Sequence, residues 1–132
     1  MNLVEIYEAY RVVSAEYIEW LEIVVQSDFQ NDAEPIIRLR LIDTKKQFEK
    51  WMEQCNELEV EEKDETNLKD LRYLILDSLF LAADLVRFFE TDDIGRFKMR
   101  VLNYLNKKRR AELFGETPRS ECRVTMAPNE DI

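Results

Sequence analysis

Histidine is missing from this chain altogether, and of its 132 residues only two are glycine and three proline. Each scarcity removes a class of function. Without histidine there is no ordinary neutral-pH acid–base residue, no His-containing metal site and no Ser–His or Cys–His nucleophile. Residues 1–114 hold one proline, Pro35, and one glycine, Gly95, so almost nothing interrupts a helix over that length. Phosphate-cradling loops need glycines, which leaves side chains on helix faces as the place where any activity must lie. No apolar run approaches the roughly 20 residues that cross a bilayer. The stretch 79–89, for example, is broken by Asp84 and Arg87. Cysteine is also scarce: Cys55 falls on an apolar stripe and Cys122 among polar residues, which predicts two thiols rather than a disulfide. Asn2 and Glu5 stand where a secretory leader would be basic and then apolar, and a cytoplasmic setting is expected.

What remains is apolar and aromatic enough to fold. Hydrophobic residues make up 45% and charged residues 36%, with seven Phe, five Tyr and two Trp. A chain of this size can bury one core. The apolar residues recur in steps of three and four. Asn2 and Glu5 have capping-box spacing ahead of Leu3, Ile6, Tyr10, Val13, Tyr17, Trp20 and Val24. After a turn over 27–32, Asp32 or Ala33 with Pro35 opens a second helix, whose stripe is Ile37, Leu41, Thr44, Phe48, Trp51, Cys55 and Leu58. The acidic run 57–65 reads as a solvated connection. Thr66 or Asn67 can then cap a third helix carrying Leu68, Leu71, Leu74, Ile75, Leu79, Ala82, Leu85, Val86 and Phe89. Thr91, Asp92 and Asp93 offer caps for a fourth, with Ile94, Phe97, Val101, Tyr104 and Leu105, stopped by Gly115 and Pro118.

These patterns predict an all-α, four-helix antiparallel bundle over residues 1–114 and a poorly structured C-terminal tail over 115–132. Val124 and Met126 are the tail's obvious anchors. Leu21, Ile23 and Val25 lie off the first stripe, and Leu81 and Phe88 widen the third. That is more apolar surface than four helices hide, and it predicts a homodimer.

The charge is polarised along the chain. Residues 1–95 carry twenty-three acidic and ten basic side chains, whereas residues 96–132 carry nine basic and five acidic. An acidic body disfavours nonspecific nucleic-acid binding. The basic run Lys107, Lys108, Arg109 and Arg110 is a candidate contact for an acidic partner, or for nucleic acid at that end alone. Its structural reading is the complement of carbonyls in the last turns of the fourth helix.

Carboxylates supply the enzymatic candidates. Glu16 and Glu19 stand three apart, and Asp70, Asp77 and Asp84 recur every seven residues, within about 40° on one side of a helix. Glu16-Tyr17-Ile18-Glu19 resembles the ExxE pair of the MazG-like all-helical nucleotide pyrophosphatases, whose ExxD pair would end here at Asp77. Leu74 occupies the Glu position of that second pair. The resemblance implies Mg²⁺ held by Glu16, Glu19, Asp77 and Asp84 and hydrolysis of a nucleotide pyrophosphate bond. The leading expectation is instead a non-catalytic protein-interaction module without a cofactor, its acidic body and basic end orienting a protein partner.

Overall fold

The computed structural model of the chain describes residues 1–114, the side chains of 112–114 excepted. Among these residues there are four α-helices and no strand: α1 (Leu3–Gln26), α2 (Glu34–Glu57), α3 (Glu65–Glu90) and α4 (Ile94–Phe114). The expectation of a tail over 115–132 lies outside the described residues. No described helix is long and apolar enough to cross a membrane.

Local chemistry sets the helix ends. The Asn2 side chain accepts from Glu5 N, and the Glu5 carboxylate accepts from Asn2 N, both at 2.9 Å, completing the predicted capping box. Ala33 is the N-cap of α2, with no side-chain bond, and Pro35 sits in the first turn where its missing N–H is harmless. Helix α3 starts earlier than predicted: a 3₁₀ turn, Glu62–Asp64, runs directly into Glu65, so neither Thr66 nor Asn67 is the cap. Asp93 caps α4 by accepting from Arg96 N at 3.3 Å. Between α2 and α3 the glutamates 57, 59, 61 and 62 are exposed, as predicted, while Leu58 and Val60 fold back against the core.

Consecutive helices are antiparallel neighbours. Arg38 near the start of α2 pairs with Glu90 at the end of α3, and Asp84 of α3 pairs with Arg100 of α4. Helices α2 and α3 approach most closely, and α2 and α4 lie on a diagonal. The buried positions of α2 and α3 include the small residues Thr44, Cys55, Ser78 and Ala82, which let two backbones come together. Helix α1 meets α2 through large rings instead. Phe48 lies 5.8 Å from both Tyr10 and Tyr17 and 6.1 Å from Trp51. A second aromatic group, Phe29, Phe89 and Phe97, closes the end of the bundle at the α1–α2 turn, with Phe29 and Phe97 5.0 Å apart.

Two buried polar contacts cross this core. Tyr10 Oη donates to the Leu74 carbonyl at 3.1 Å and is hydrogen-bonded to Ser78 Oγ at 2.6 Å. Arg72 donates to the Cys55 carbonyl at 3.2 Å. Cys55 itself is a free, fully buried thiol. Burial pushes its pKa up to about 11, opposed by the Arg72 charge. The unfolded thiol ionises near 9, so between pH 9 and 11 the unfolded state releases its proton first and stability falls as pH rises. At pH 10 the loss should be about 1 kcal/mol. Melting curves from pH 8.5 to 10 should therefore descend more steeply for the parent chain than for Cys55→Ala, and parallel slopes would refute this.

Candidate functional site

The carboxylates proposed for a metal do not converge. Asp84 accepts from Arg100 Nε at 2.9 Å through one oxygen and from Arg87 at 3.0 Å through the other. Asp77 faces Lys107 at 4.0 Å, also on α4, and its second oxygen is buried without a hydrogen-bond partner. Both aspartates thus belong to the α3–α4 seam, where cations of α4 engage them. Glu16 lies on the other side of the molecule, lining a groove between α1 and α2, and Glu19 is exposed on α1. Among the described residues no group of three or more Asp, Glu or Cys side chains is placed to hold a metal ion. The seven-residue spacing puts Asp77 and Asp84 on one helix face, as expected; Arg100 and Lys107 of α4 and Arg87 of α3 engage it, rather than the glutamates of α1.

The basic run is also partly engaged. Lys107 reaches Asp77, and Arg109 bridges to Glu22 of α1 at 2.5 Å. Lys108 is half-buried and Arg110 exposed. Because α4 continues to Phe114, this run sits a turn before the helix end and closes the bundle instead of complementing terminal carbonyls.

The surface that stands out is the flank formed by α1 and α2. An open groove of about 700 Å³ runs between them, lined by Val13, Glu16, Tyr17, Ile36, Leu39 and Arg40 among others. Ile36 and Leu39 are 55% and 59% exposed. Arg40 lies over the Trp20 ring at 4.7 Å, which fixes the relative height of the two helices. One turn onward along α1 is Ile23, 52% exposed, and one turn back along antiparallel α2 is Ile36. Val12, Glu16, Glu19 and Ile23 follow one another in steps of four, three and four, so they share this flank. Four of the nine large exposed apolar residues among the described residues therefore fall on this flank: Val12, Ile23, Ile36 and Leu39.

Beneath the groove the Tyr17 ring is buried, and its hydroxyl has no hydrogen-bond partner among the described residues. Burial raises its pKa above the usual phenolic range, against the lowering influence of Arg100 and Arg40. This hydroxyl therefore stays protonated at neutral pH.

Of the five residues taken as surplus apolar surface, only Ile23 is on the surface. Leu21 and Leu81 are 1% exposed, while Val25 and Phe88 are half-buried against the core. The residues that do form the exposed flank, Ile36 and Leu39, are absent from that set. Their signal was present, since both fall about a quarter-turn or more off the Ile37–Leu41–Thr44 stripe. Comparison with known proteins found no matching family, no matching curated protein and no matching solved structure.

Proposed function

We propose that this protein acts by binding another protein through its α1–α2 flank, as an interaction module rather than a catalyst. The observation that supports this most directly is an open groove lined by the exposed Ile36 and Leu39, with the exposed Ile23 of α1 at the level of Ile36. Single exposed apolar residues are normal on a protein surface, whereas a contiguous set rimmed by charge marks a contact site. Glu16, Glu19, Arg40, Asp43 and Gln47 supply that rim. The acidic and basic side chains on it favour orientation and on-rate, with the apolar centre contributing affinity.

A photo-crosslinking residue at position 39 tests the reading inside cells. Discrete protein adducts are expected from position 39 and none from position 96, an exposed site at the start of α4. If position 39 gives no adduct beyond that background, the flank is not a binding surface.

A further inference from the structure

We propose that the occupant of this flank is a second copy of the same chain, the two copies related by a two-fold axis parallel to the helices, so that α1 of each lies against α2 of the other. This rests on the binding-surface reading above and adds the partner and its orientation.

The charges select the arrangement. On the α1 side of the flank stand Glu16 and Glu19, and neither forms an ion pair among the described residues. On the α2 side stand Arg40, Lys46 and Lys50, against Asp43 and Glu53; Arg40 is stacked on Trp20, and none of the three cations forms an ion pair among the described residues. A flank acidic along one edge and basic along the other is complementary to itself. An axis parallel to the helices exchanges the two edges, setting the glutamates of one copy against the cations of the other. An axis across the helices would instead set α1 against α1 and bring Glu16 and Glu19 against their own equivalents, a like-charge juxtaposition.

Height along the bundle agrees. A rotation parallel to the helices leaves every residue at its own level, so the Ile23–Ile36 level of one copy meets the same level of the other, with Leu39 beside it. Four apolar side chains from Ile23 and Ile36 would then form a closed cluster at this end of the helices, with the charge pairs on the side toward the middle of the bundle. The dimension also suffices. Helices α1 and α2 have 24 residues each, or about 36 Å, and two helices side by side span about 20 Å. The face is thus on the order of 700 Å² per copy, close to the roughly 800 Å² per partner of a standard stable interface. The remaining exposed apolar residues of the helical faces, among them Phe80 on α3 and Met99 and Leu102 on α4, lie outside this flank.

The test is the molecular mass of the full chain by light scattering and sedimentation at about 100 μM and below. Twice 15.9 kDa is expected. Ile36→Glu with Leu39→Glu should give a monomer that keeps its helicity and cooperative unfolding, because both side chains are exposed in the single bundle. Glu16→Lys with Glu19→Lys should weaken the dimer at least about tenfold, and adding Arg40→Glu with Lys46→Glu to the same chain should restore it. A parent chain that stays monomeric overturns the proposal, as does a dimer that ignores the Ile36/Leu39 change. So does a charge swap that is not rescued. If the chain is monomeric while position 39 still crosslinks to a different protein, self-association fails and the binding surface stands. If neither is seen, both fail.

Discussion

Replacing Phe48 by Ala is expected to remove about 3–5 kcal/mol of folding free energy, the largest loss from any single truncation considered for this chain. Phe48 has no exposed surface and sits on the α1-facing side of α2. Tyr10, Tyr17 and Trp51 surround it at 5.8 to 6.1 Å between ring centres. The cost has two parts: the transfer free energy of the lost ring, and the cavity that three rigid aromatic neighbours cannot collapse to fill. Since a domain of this size has about 5–15 kcal/mol in total, the variant should be near the edge of folding at 37 °C. Urea titration should show a much lower midpoint with the slope unchanged. A loss below about 1 kcal/mol would mean that α1 is not seated on α2 through these rings.

Tyr17→Phe should act in the opposite direction, raising stability by about 1 kcal/mol and Tm by roughly 3–5 °C. The Tyr17 hydroxyl is buried and has no hydrogen-bond partner among the described residues, so burying it costs the hydrogen bonds it makes to water in the unfolded chain. Removing the oxygen leaves the ring, its 6.2 Å stacking on Trp20 and its edge contact with Phe48 in place. Tyr10→Phe is the matching control. Its hydroxyl is satisfied by Leu74 and Ser78, and losing it leaves Ser78 Oγ without that buried bond, so the same chemical change should cost about 1 kcal/mol. Equal signs for the two variants would show that the Tyr17 hydroxyl is solvated in solution.

The helices were readable because a helix that buries one side must repeat its apolar residues. The α2 stripe from Ile37 to Cys55 is buried at every predicted position. In α1 only Val13 of its stripe remains half-buried. The departures have a common cause. Leu21 and Leu81 read as surplus because a stripe describes contact with one neighbour, whereas a bundle helix is covered on two or three sides and its apolar arc widens accordingly. Ser78 was invisible for another reason: its burial depends on Tyr10, sixty-eight residues away. The charges behave likewise. Spacing put Asp77 and Asp84 on one face, but which groups meet that face is a property of α4. The α1–α2 groove emerged only once the two helices were placed side by side, because surface residues carry no periodic constraint of their own.

The α1–α4 seam has a consequence for the order in which the bundle comes apart. The α1–α2, α2–α3 and α3–α4 seams join helices that are adjacent in the chain, so each can form as a local hairpin, whereas α1 meets α3 and α4 across long stretches of it. The α1–α4 seam is held by Lys98 with Asp28 and by Arg109 with Glu22, pairs separated by seventy and eighty-seven residues. Its closure must await the rest, and beside the packing of Ile18 and Leu21 on Val101 and Leu105 its charged links are surface ion pairs that salt weakens. Hydrogen exchange should therefore find α4 opening as a unit at a free energy below that of global unfolding, leaving the α2–α3 hairpin as the last structure to be lost.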